Sequence, residues 1–229
     1  MRLVVLLALF VVGCTDRGPV EAPAPEQWTA QLAEVARGER TAVQIEAETL
    51  HPSDLRRLAN DCESLERLTI VNVAADADRS GFDAAWRAVL PALPNLRRVT
   101  FDGPVDASIF GEEGVAAITH LNLPAAEANS SDFADLLAGQ RSLVLLRLHA
   151  PGLQDRDLEA LDELPDLRFL HLIDAPLTDA AVPHLAACET LESVYLDRAR
   201  LTDEGWQELH RLRPDLHLHA DLTHPVGGH

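Results

Sequence analysis

At 229 residues and 25.0 kDa the chain is long enough for one good-sized domain, and 47% apolar residues with only 4% aromatics predict an aliphatic core. Nineteen arginines, with no lysine among them, stand against thirty-seven acidic side chains, and the formal charge of -18 sets up a field that repels phosphate backbones and anionic headgroups. Nucleic acid is accordingly not an expected partner.

Met1-Arg2 precede an unbroken apolar run from Leu3 to Val12, after which come Gly13, Cys14, Thr15 and Asp16. The run is too short for a transmembrane helix, which needs about 20 residues, but suits a signal-peptide core behind one positive charge. Val11-Val12-Gly13-Cys14 resembles the lipobox of bacterial lipoproteins, in which a small residue precedes the cysteine that is lipidated and becomes the mature N-terminus. The resemblance implies a signal peptide over 1–13, a lipid anchor on Cys14 and a place in the bacterial cell envelope. In that family an Asp directly after the Cys marks inner-membrane retention; Thr15 stands there instead, which favours the outer membrane. An ordinary secretory signal with an incidental cysteine is the alternative.

Residues 14–27 are rich in Pro and charge, the composition of a solvated tether. Trp28, Leu32 and Val35 then recur at near-helical spacing before Gly38, predicting a short helix within 28–40 that caps the N-terminal end of the folded domain.

From residue 41 the chain repeats. Leu143-Val-Leu-Leu146-Arg-Leu148, Leu167-Arg-Phe-Leu170-His-Leu172 and Leu191-Glu-Ser-Val194-Tyr-Leu196 align without gaps, their leading leucines 24 residues apart. Each is followed by an apolar residue, two polar ones and a helical pattern, as in Leu177-Thr178-Asp179 and Leu201-Thr202-Asp203, so the unit is a short strand and a short helix. Both Thr-Asp pairs supply an N-cap hydroxyl and a carboxylate for the helix N-terminus. Less regular copies at Val43/Ile45, Leu68/Ile70, Val99/Phe101 and Leu121/Leu123, with a shorter one at Leu216/Leu218, bring the expectation to eight strands. The second unit is longer: Asp78-Arg-Ser-Gly81 followed by Phe82 to Leu90 reads as an extra loop and a fuller helix.

The pattern resembles the leucine-rich-repeat family. That resemblance implies an α/β solenoid over 41–222, with parallel strands on a concave face and short helices on a convex one; the Gly/Pro composition of 223–229 predicts a disordered tail. A helical bundle is disfavoured because Val43-Gln-Ile45 and Leu146-Arg-Leu148 alternate at period two. Cys62 and Cys188, each three residues before a leading leucine, resemble the cysteine-containing subclass used by F-box ubiquitin-ligase subunits. The Cys or Asn that this subclass places after the strand is replaced here by Pro151, Ala175 and Ala199, and no F-box segment is visible, so only the architecture carries over. Five strand spacings of about 4.8 Å would hold the two thiols about 24 Å apart, beyond disulfide reach, so both are expected free and buried.

Strand positions between the core leucines should face outward in columns. One column reads Gln44, Thr69, Thr100, Asn122, Arg147, His171, Tyr195, His217, and the next Glu46, Val71, Asp102, Pro124, His149, Ile173, Asp197, His219. Arg147, His149, His171, Asp174, Tyr195, Asp197, Arg198 and His217, with His219, form the candidate partner-binding patch, Arg and Tyr being common interface anchors. Two alternatives remain: Zn or Cu bound by concave-face histidines with His149 and His171 at the centre, or a scaffold without a dedicated ligand. No nucleophile elbow, phosphate-cradling glycine loop or zinc-protease motif is present, so neither catalysis nor a cofactor is expected. The expected protein is a monomeric, membrane-anchored binding module, whose charge favours a basic or amphoteric protein partner.

Overall fold

Alternation of buried and half-exposed residues along each strand organises the protein: in Ala42–Glu46 and again in Leu145–His149, only the second and fourth side chains are buried. The structure, a computed structural model, describes residues 25–74, 79–221 and 225. The apolar run, Cys14, most of the tether and nearly all of the C-terminal tail lie outside the described residues. Eight strands form one parallel sheet in chain order: β1 (Ala42–Glu46), β2 (Arg67–Val71), β3 (Arg98–Phe101), β4 (His120–Leu123), β5 (Leu145–His149), β6 (Phe169–Ile173), β7 (Ser193–Asp197) and β8 (His217–Ala220). A second layer packs on the buried side: α1 (Pro25–Ala36), α2 (Pro52–Asp61), α3 (Arg79–Val89), α4 (Ser130–Gly139), α5 (Val182–Ala187) and α6 (Asp203–Leu212). Among the described residues no helix is long and apolar enough to cross a membrane.

The first helix starts at Pro25, inside the stretch read as tether, and buries Trp28, Leu32 and Val35 against the first unit. It also guards the sheet edge, since Gln31 Oε1 accepts the β1 amide of Gln44 at 3.3 Å. Cys62 and Cys188 are free and buried, and burial pushes both thiols above the usual cysteine range.

Two local expectations change. The pattern after β5 folds as a 3₁₀ helix, Asp155–Glu163, whose rise of about 2.0 Å per residue stretches nine residues to roughly 18 Å. The last strand is shifted by two residues. Val194 pairs with Leu218 and Leu196 with Ala220, so the core pair is Leu218/Ala220 rather than Leu216/Leu218. Leu216 instead fills the leading position before the strand: its amide donates to Arg213 O, as that of Leu191 donates to Cys188 O one repeat earlier.

The Thr-Asp pairs do more than cap. Thr178 and Thr202 accept from Ala180 N and Gly205 N within their own units. Their hydroxyls and amides at the same time donate to the carboxylate of the preceding unit, Thr178 to Asp155 and Thr202 to Asp179, at 2.7–2.8 Å. This ladder ties together the three regular units that follow β5, β6 and β7. Gly205 leaves room for it, because a Cβ there would lie 2.0 Å from Asp179 Oδ1.

The wider units around β3 pack aromatics where the regular ones pack leucine. Phe82, Trp86, Phe101 and Phe110 meet edge to face at centroid distances of 5.0–6.2 Å, an aromatic cluster in a core that is otherwise mainly aliphatic, with Trp28, Phe133 and Trp206 buried elsewhere in it. The backbone there is irregular, and the buried Gln140 satisfies it: Oε1 accepts Ile118 N at 2.7 Å, while Nε2 donates to Phe110 O and Ala116 O at 2.6 and 3.1 Å. Gln140→Leu keeps the volume but strands these buried groups, at about 1–3 kcal/mol for each one left unmade. Its melting midpoint should fall well below that of the parent in calorimetry.

Candidate functional site

The outward columns follow from the register. Gln44, Thr69, Thr100, Asn122, Arg147, His171 and Tyr195 stand side by side on successive strands, and the β8 member is His219, with His217 beside Ser193. The expected columns therefore hold through β7 and slip by two at β8, for the reason that moves the core pair. His217 keeps its place on the open face, two residues earlier along the strand than expected, and its ring meets that of His219 edge to face at 4.4 Å.

The nominated residues divide into two groups. Along the rim at the C-terminal ends of the strands, His149 Nε2 lies 2.9 Å from Asp174 Oδ2, Arg198 grips the same carboxylate through two guanidinium nitrogens, and Arg198 N donates to Asp221 Oδ1 at 2.7 Å. His149 Nδ1 also contacts Ala126 O. Asp174 and Arg198 each take a left-handed φ of +58°, which ends the strand and turns the chain toward the helix layer. Deeper on the face, His171, Tyr195 and His219 form a ladder of rings. His171 and Tyr195 are 5.3 Å apart, and Tyr195 stacks on His219 at 3.9 Å and 5°.

His171 is held by Asp197, with Nε2 2.7 Å from Oδ2, and only 13% of its side chain is exposed. Burial pulls its pKa below the ordinary 6.5, partly offset by the Asp197 carboxylate. The neutral ring then donates from Nε2 to Asp197 Oδ2. The two imidazoles proposed as metal ligands thus turn to different carboxylates. Among the described residues no three His, Cys, Asp or Glu side chains gather into a group that could hold a metal.

Between and below these groups lies a recess of about 480 Å³ running from β2 to β7, which makes this face concave. Its walls include Arg147, His171 and Tyr195, but also Arg67, Arg98, His120, Leu145 and Phe169. The latter five form a third column, two residues earlier along each strand, that the sequence reading passed over. The signal was available: the same period of two that places Arg147 outward also places Leu145 outward.

No family model and no curated protein matches the sequence. Solved structures do. An internalin, InlF from Listeria monocytogenes, superposes with a TM-score of 0.53 at 18% identity over 81% of this chain and 48% of that one, so this chain spans about half of that protein's length. The fold is that of a leucine-rich-repeat solenoid. The leucine-rich repeat-containing protein LegL7 from Legionella pneumophila also matches, at 14% identity over 88% of this chain and 87% of that one, but its TM-score of 0.38 is too low to argue from.

The solenoid makes His171 a sensitive reporter of its own face. NMR titration should place its pKa below 6.5, and Asp197→Asn should lower it further by removing the carboxylate that favours the charged ring. Because the folded pKa lies below the unfolded one, the stability this group contributes is complete above pH 6.5 and is lost as pH falls from there through the folded value. The melting midpoint of the parent should therefore drop more steeply over that window than that of His171→Gln.

Proposed function

We propose that this protein is a binding module of the bacterial cell envelope, lipid-anchored through Cys14 and recognising a protein partner on its concave strand face without catalysis. One observation carries the reading: a recess bordered by a half-buried ladder of Tyr and His rings and by Arg147, on a scaffold whose repeats hold these side chains in register. Rings of this kind offer large contact area at little entropic cost, and the rim network of His149, Asp174 and Arg198 presents both signs of charge.

The finer points rest on sequence. The lipobox-like Val11-Val12-Gly13-Cys14 supports the anchor, and Thr15 after the cysteine supports the outer membrane. The charge of -18 favours slow approach of acidic proteins and faster approach of basic or amphoteric ones. The protein is taken to act as a monomer, with the solenoid presented at the end of its tether.

Two experiments test this. Cys14→Ala should move the protein from the membrane to the soluble fraction, and unchanged membrane association would remove the anchor. Affinity capture from a detergent-solubilised envelope extract should retain a partner on the parent but not on a variant carrying Arg147→Ala, His171→Ala and Tyr195→Ala. Identical retention by both baits would contradict recognition through this face.

A further inference from the structure

The recess differs in charge from the rest of the molecule. In a chain of net charge -18, no Asp or Glu among the described residues lines it, whereas three arginines and two histidines do. Arg87, Arg141, Arg168, Arg198, Arg211 and Arg213 each lie against a carboxylate. Arg67, Arg98 and Arg147 have none among the described residues. Arg67 and Arg98 are exposed and occupy directly neighbouring positions on β2 and β3, with His120 next in the row on β4. Like charges at directly opposed strand positions are destabilising, and no carboxylate among the described residues pairs with either arginine of this row. Arg147 adds a second sign of incompleteness: its Nε is buried without a hydrogen-bond partner, and Nη1 reaches only Asn122 Oδ1, at 3.5 Å.

We propose that the recess takes an acidic, partly apolar peptide segment of the partner, its carboxylates received by Arg67, Arg98 and Arg147. The inference rests on the concave-face reading above and names the chemistry of what enters it. Guanidinium forks match carboxylates in bidentate geometry. The half-buried Leu145 and Phe169 continue the Arg67–Arg98–His120 row on β5 and β6 and supply an apolar floor, which a purely ionic ligand would leave unused. The row from β2 to β6 covers four strand spacings, about 19 Å, which an extended segment spans with about six residues. An amphoteric partner satisfies both scales: its overall charge governs approach to an acidic molecule, and one acidic segment docks.

The test is selection from a random dodecapeptide library on the folded protein, in parallel with the Arg67→Ala/Arg98→Ala double variant. The expected result is enrichment of Asp and Glu at least threefold over the input, interspersed with apolar residues. A synthetic peptide of the enriched sequence should lose at least tenfold in affinity on the double variant and when its acids are made amides. The double variant should melt at or above the parent's midpoint, since a repulsion has been removed; a clear drop would make these arginines structural and overturn the proposal. Enrichment of neutral or basic peptides, or equal binding by the double variant, also overturns it, and loss of such binding on changing His171 and Tyr195 would leave the concave-face reading standing. Failure to enrich any peptide overturns it too, with envelope capture then deciding the broader reading on its own.

Discussion

A unit of about 24 residues cannot bury its own leucines, and the structure depends on that deficit. Each strand turns one set of side chains inward, where they need a neighbouring repeat above and below, and the parallel ladder then sets all eight units in register. The ends of such a stack are its weak points. At the start α1 covers the core with Trp28 and lends Gln31 to the edge strand. Near the other end Arg213 donates to Cys188 O and Leu191 O, both at 2.8 Å, and is itself held by Asp215.

The same register that builds the core sorts the open face. Because columns run straight across strands, a side chain one repeat away is a neighbour, so sequence spacings of 23 to 25 residues become contacts: Asp155 with Thr178, His149 with Asp174, Tyr195 with His219. The rim carboxylates are consumed by this stitching, while the recess stays rich in arginine. A molecule that is strongly acidic overall can thereby offer a basic interior surface.

Repeat, strand count, capping helix and buried thiols were legible in the sequence because each follows from spacing alone. The slip at β8 was not, since Leu216 and Leu218 both look like strand leucines until the ladder pairs Val194 with Leu218. Arg67, Arg98 and His120 were overlooked for a different reason: their column begins before the first core leucine, where a strand's start is hard to read without its neighbour. Nor could spacing show that the Arg198 guanidinium would close on Asp174, which needs the left-handed turn at both residues.

The central claim is that recognition happens on the concave face, and site-specific photo-crosslinking in intact cells tests it most directly. A photoreactive amino acid in place of Tyr195 should crosslink a discrete partner band, whereas the same group in place of Glu204, on the helix side, should give none. Equal crosslinking from both positions, or a band from Glu204 alone, would contradict the account.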